Sequence, residues 1–354
     1  MTCTTFGRLA SGERLERIKK SPNYRDGKFR NIHFTPDLTE GYNMLEVTYE
    51  FLFKRRPNRV PPKPLQTLYT DLKKLKPEED VLVWFGHSSY FMQIDGKTFL
   101  IDPVFSGNAS PIAGSNKAFA GADRYTVADL PQIDVLVITH DHYDHLDFPT
   151  IMGLRHKVKQ VVCGLGVGAH FDYWGYDPGM ITELDWQEQK DLGSGFILHA
   201  TPARHFSGRG LQRNRSLWVS FVLKTPTMNL FIGGDSGYDT HFAEIGAQYG
   251  PFDLAILENG QYDPKWKYIH MQPSETLKAA TELKAKKLLP VHSAKFAMAN
   301  HAWDEPLSTI SELSQDSRVT LWTPMIGEKV MLKSDKQQFH QWWKPKDTMI
   351  FSYP

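Results

Sequence analysis

With 354 residues and 41% hydrophobic content, the chain can bury one large or two medium cores, which sets disorder aside. A net charge of +1 excludes binding of nucleic acid through many neutralised phosphates, and no run of about 18 apolar residues is present to cross a membrane. Two cysteines, Cys3 and Cys163, exclude a disulfide framework, and residues 1–6 lack a basic-then-apolar secretory pattern, so the expected location is the cytoplasm.

Residues 1–75 read as an irregular leader on or beside the core, broken by Pro22, Pro36, Pro57, Pro61, Pro62 and Pro64, with one helix-like stretch at residues 42–53. Residues 1–65 hold 13 Lys/Arg against 7 Asp/Glu, a net of +6, which offers peripheral contact with an anionic lipid or a partner surface. From residue 76 the chain reads as one domain. Strands are expected at 81–85, 90–94 and 98–101, the last two joined by a tight Asp95-Gly96 turn. A nearly continuous apolar strand at 133–139 precedes a helix starting at Asp147. Further strands are expected at 160–163, 195–203, 217–223, 229–232, 254–257, 287–291, 319–323 and 329–332. Helices fit residues 167–173, 241–249, 273–286 and 306–313. Hairpins followed by helix-strand alternation, in two halves, predict an α/β sandwich of two face-to-face mixed sheets with helices outside.

The segment His140-Asp141-His142-Tyr143-Asp144-His145 follows the buried strand directly. With 14 His in the chain, three His and one Asp at these offsets arise by chance on the order of once in a thousand sequences. Residues i and i+2 at a strand end point the same way, so His140 and His142 can converge on one ion, and Asp144 and His145 can face a second. Imidazole and carboxylate donors suit zinc, with manganese or iron also compatible, and the absence of a nearby thiolate excludes a closed structural zinc site. Four donors do not fill two sites. His205, Asp235 and His292 each follow an apolar strand into a loop and are the candidates that complete the set.

These residues carry a resemblance. The order His-x-His-x-Asp-His, then His, Asp and His at strand ends, resembles the metallo-β-lactamase superfamily, and within it the N-acyl-phosphatidylethanolamine phospholipase D-like and RomA-like group. The likeness runs from about residue 81 to 306 through blocks such as Trp84-Phe85-Gly86-His87, Asp102-Pro103-Val104-Phe105-Ser106, Gly234-Asp235-Ser236-Gly237-Tyr238 and Phe296-Ala297-Met298-Ala299-Asn300. It implies an αββα sandwich. It also implies two divalent ions, zinc first, one held by His140, His142 and His205, the other by Asp144, His145 and His292, with Asp235 bridging.

Two ions sharing a water give a hydroxide nucleophile near neutral pH, so the expected activity is hydrolysis of a phosphodiester in a lipid or small metabolite. Hydrolysis of a carboxylic ester or lactone, as in L-ascorbate 6-phosphate lactonases, is the alternative, and a di-iron redox protein on the same fold is a third reading. Asp144 and His87 are the candidates for the chemistry, His87 as a substrate contact or proton donor. Asp102 is expected to orient a ligand imidazole, and Ser207, Arg209 and His270 to line the pocket, Arg209 suiting a phosphate. Glu258-Asn259-Gly260-Gln261 stands where the phospholipase relatives carry a small neutral turn. Glu258 and Gln261 therefore predict a polar pocket wall and a compact polar substrate rather than a two-tailed phospholipid.

Overall fold

The computed structural model describes residues 3–54, 57–112 and 114–344. Strands Val81–Trp84 and Leu254–Glu258 are buried at every position, so their sheets must be covered on both faces. The leader holds helix α1 (Gly12–Lys19), hairpin β1–β2 (Tyr24–Arg25, Lys28–Phe29) and helix α2 (Met44–Phe53). The first half of the body comprises β3 (Val81–Trp84), β4 (Tyr90–Ile94), β5 (Lys97–Ile101), β6 (Ile133–Ile138), α3 (Phe148–Leu154), β7 (Val158–Gly164), α4 (Gly168–Tyr173) and β8 (Ile181–Leu184). The second comprises β9 (Gln189–Gly193), β10 (Phe196–Thr201), β11 (Ser220–Lys224), β12 (Asn229–Ile232), α5 (His241–Gln248), β13 (Leu254–Glu258), α6 (Pro273–Glu282), β14 (Lys287–Val291), α7 (Glu305–Leu313) and β15 (Thr320–Leu321), and β16 (Lys329–Met331) returns to the first sheet.

Two seven-stranded sheets result, ordered β16-β3-β4-β5-β6-β7-β8 and β15-β14-β13-β12-β11-β10-β9. Each begins antiparallel and becomes parallel, from β5 to β8 in the first and from β12 to β15 in the second. Alternation along the strands separates three apolar layers. Trp84, Met92, Phe99 and Val137 face Leu198, Phe221, Ile232 and Ile256 between the sheets. The opposite residues Leu100, Leu136 and Ile138 pack outward with Ile151 and Phe171 of α3 and α4, and Phe231, Ala255 and Leu288 pack on α5–α7. This is the expected sandwich of two mixed sheets with helices outside.

Some elements differ from the sequence reading. The leader contains α1 and a hairpin where irregular chain was expected, because α1 is held by tertiary ion pairs of Arg14 with Glu183 and Arg17 with Glu188 rather than by a long apolar face. Strands β8 and β9 escaped notice because they are short, partly exposed and polar. The strand expected from residue 217 starts at Ser220: Leu217 and Val219 donate their amides across to Leu165 and Thr139 of the other half. Among the described residues no helix is long and apolar enough to cross a membrane.

Candidate metal centre

Every metal-binding candidate lies just past the carboxyl end of a strand: Asp102 after β5, the His140–His145 run after β6, His205 after β10, Asp235 after β12, Glu258 at the end of β13 and His292 after β14. Both sheets bring these ends to one edge. His87, Asp102, Gln261 and His292 all have left-handed backbones, with φ of 54°, 41°, 56° and 66°, a concentration of strain that only the surrounding packing sustains. Gly234 has φ +60°, and an added Cβ would stand 2.8 Å from the Thr139 side chain, so glycine is required for the chain to deliver Asp235 here.

The donors converge in overlapping sets. His140, His142 and His205 form one, with His140 Nε2 2.9 Å and His205 Nε2 3.3 Å from His142 Nδ1. Asp144, His145 and His292 form another, joined by His87, and Asp235 reaches both: its Oδ2 lies 3.9 Å from His140, 3.2 Å from His145 and 3.7 Å from His205, and its Oδ1 3.2 Å from His292. Two donors each about 2.1 Å from a tetrahedral ion lie about 3.4 Å apart, which matches these separations.

The protonation pattern agrees. His145 Nδ1 donates to Asp102 Oδ2 (2.8 Å) and His205 Nδ1 to Ile269 O (3.0 Å), so each ring turns its Nε2 toward the centre. Thr139 Oγ1 donates to Asp102 (2.7 Å) and lies 3.0 Å from His140 Nδ1, so Asp102 braces two imidazoles at once. The inward atoms His145 Nε2 and Asp235 Oδ1 are buried without hydrogen-bond partners. Burial holds His140, His205 and His292 well below the usual imidazole range, which leaves neutral lone pairs. Burial alone would raise Asp235, but the surrounding imidazoles, His145 foremost, hold it well below the carboxylate range. His145 goes the other way: burial would lower it, yet Asp235, Asp144 and Asp102 raise it well above its usual value. Three carboxylates thus demand positive charge at this point, and a divalent cation satisfies that demand as a proton does. The residues fit divalent metal.

Other expectations need correction. His87 is fully buried and does not open to the cleft; its Nε2 donates to Asp144 Oδ2 (2.8 Å), so it positions that carboxylate instead of meeting substrate. Ser207 is buried and donates to Ser216 O (2.6 Å). Arg209 does not reach the cleft either: its guanidinium lies over the Tyr143 ring and donates to Asp141 O, Leu146 O and Thr5 O, tying the His140–His145 run to the leader. Asp141, which the sequence reading passed over, is the matching anchor, accepting from Gly208 N (2.7 Å) and Ser216 Oγ (2.6 Å) and pairing with His170 (3.3 Å).

The expected polar wall is present only in part: Gln261 lines the cleft and Glu258 does not. Glu258 is fully buried, with Oε2 2.5 Å from His270 Nδ1 and Oε1 accepting from Met271 N. Gln261 donates to His292 O and Phe296 O and accepts from Met298 N and Ala299 N, so loop groups satisfy both side chains. The cleft over the donors, about 280 Å³, has mainly apolar walls of Leu38, Val47, Phe206, Trp266, Ile269 and Met298, with Gln261 and His270 beside the centre and Asp37 and Arg213 at the wall. Arg213 pairs with Asp37 (3.2 Å) and lies over the Phe206 ring. The leader therefore forms part of the wall, a long-range contact without a local signature in the sequence.

A β-lactamase superfamily domain model matches residues 97–293. The chain belongs to the metallo-β-lactamase superfamily. It is 36% identical to an uncharacterized protein of Mycobacterium tuberculosis over 92% of this chain and 88% of the relative. It is 30% identical to N-acyl-phosphatidylethanolamine-hydrolyzing phospholipase D 1 of Caenorhabditis elegans, over 67% of this chain and 70% of the relative. The solved structure of Igni18, a metallo hydrolase from Ignicoccus hospitalis, shares the fold with a TM-score of 0.54 at 19% identity, over 71% of this chain and 97% of Igni18. The superfamily enzyme is a metal-dependent hydrolase.

Proposed function

We propose that this hydrolase cleaves a phosphodiester bond in a substrate carrying an apolar chain, at a binuclear centre held by His140, His142 and His205 on one side and Asp144, His145 and His292 on the other, with Asp235 shared. The observation that carries the reading is Asp235 itself, a buried carboxylate within 3.9 Å of four imidazoles from both donor sets. When bound, two divalent ions, zinc first by donor chemistry, supply an activated water and stabilise negative charge that develops on the phosphoryl oxygens.

The chain's residues do the rest. Asp102 and Thr139 fix the imidazoles, and His87 fixes Asp144. Arg213 at the cleft wall offers the phosphate a cation, and the apolar walls receive the chain attached to it. Glu258 holds His270 by Nδ1, which leaves Nε2 as the ring nitrogen available to the cleft. Burial pushes Glu258 up, and pairing with Glu258 outweighs burial at His270 and raises it too. With both groups raised the pair carries two protons, one shared between Glu258 Oε2 and His270 Nδ1 and the other on Nε2 of His270, which can deliver it to the leaving oxygen. The similarity to an N-acyl-phosphatidylethanolamine-hydrolyzing phospholipase D supports this bond class.

The test is a substrate panel run on zinc- and manganese-loaded enzyme: a short soluble phosphodiester, a phosphodiester bearing one or two acyl chains, and a lactone. The expected ranking places the acylated phosphodiester first by kcat/KM. Turnover of the lactone alone would move the enzyme to the ester and lactone class.

A further inference from the structure

Helix α2, ten residues long, is apolar on opposite faces. Met44 and Val47 line the cleft, while Leu45, Tyr49 and Phe53, spaced at i, i+4 and i+8, form an outward stripe exposed to 85%, 64% and 69%. Glu46 and Glu50 take up only one side of the helix, so a second apolar face beyond the one on the cleft is left toward solvent, where it calls for an apolar medium. Phe34 (87% exposed) precedes the cleft-lining Asp37 and Leu38 in the leader, and the fully exposed Leu211 precedes Arg213. Single exposed apolar residues are ordinary, but these five come from the segments that wall one cleft.

Charge selects the occupant. The chain runs from α2 directly into Lys54-Arg55-Arg56, within a leader of net charge +6. A second copy of the chain in a two-fold contact would set one basic leader against another, whereas an anionic bilayer complements it. An apolar stripe with Phe, Tyr and Leu, followed in the sequence by three basic residues, is the composition of a helix that lies in a membrane interface. We propose that α2, together with Phe34 and Leu211, docks the protein onto an anionic lipid bilayer with the cleft mouth toward the membrane. The surface is independent of which bond the enzyme cleaves.

The test is co-sedimentation of the full-length, metal-loaded protein with vesicles of phosphatidylcholine, with and without phosphatidylglycerol. The wild type is expected to sediment with the anionic vesicles and more weakly with the neutral ones. The combined variant Leu45→Ser, Tyr49→Ser, Phe53→Ser should partition roughly tenfold or more weakly, with unchanged metal content and melting temperature, because these side chains are exposed. Since binding is read without turnover, it is unaffected if the bond class is wrong. Wild-type protein that stays in the supernatant with both vesicle types, or a variant that sediments as the wild type does, would overturn the proposal. A dimer seen by analytical ultracentrifugation that the variant abolishes, without vesicle binding, would assign the face to a second copy instead.

Discussion

Asp235→Asn is expected to leave the fold intact and to lower kcat/KM about 10³-fold, with loss of metal from both positions. The amide has the same shape, so packing around β12 should not change, but it removes a charge shared by four imidazoles 3.2–3.9 Å away. Metal ions contribute several kcal/mol to transition-state charge stabilisation, and at 1.36 kcal/mol per tenfold that corresponds to about three orders of magnitude. Elemental analysis and kinetics on the same preparation check it. Full metal content with activity within tenfold of wild type would remove Asp235 from the centre.

The second large effect is expected at His270. If its Nε2 protonates the leaving oxygen, His270→Gln should lower kcat by about 10²- to 10⁴-fold on a substrate with an alkoxide leaving group. The loss should be much smaller for a nitrophenolate, which departs without a proton. Metal content should be retained, because the seven assigned donors stay in place; loss of metal would instead make His270 a ligand, as its place within 4.8 Å of Asp235, Glu258 and His292 allows. Equal losses for both leaving groups would show that His270 only packs against the centre.

The legibility of this site in the sequence follows from where each signal resides. The His140–His145 run is local, and His205, Asp235 and His292 share with it a position just past an apolar strand, so one edge of a two-sheet core was enough to bring them together. Two face-to-face sheets were legible because hairpins give way to helix-strand alternation in two halves, and strands such as Val81–Trp84, buried at every position, are covered on both faces. What failed depended on partners distant in the chain. Arg209 looked like a phosphate ligand because a guanidinium suits a phosphate, yet two backbone carbonyls of the loop after β6 and one of the leader capture it. Arg213, four residues later, took its place at the cleft. Glu258 and Gln261 suggested a polar pocket because neither His270 nor the carbonyls at residues 292 and 296 could be placed from sequence. The leader's part in the wall was invisible for the same reason: Leu38 and Val47 line the cleft together with residues more than 90 positions away. Seven donors on one edge, by contrast, make a claim about composition that needs no substrate.

That claim is tested most directly by the metal content of protein purified in metal-replete medium and freed of loosely bound ions, measured by elemental analysis against protein concentration. Two divalent ions per chain are expected, zinc first, falling after chelation together with activity and returning with it on re-addition. One ion per chain, or none, would contradict a binuclear centre built on Asp235.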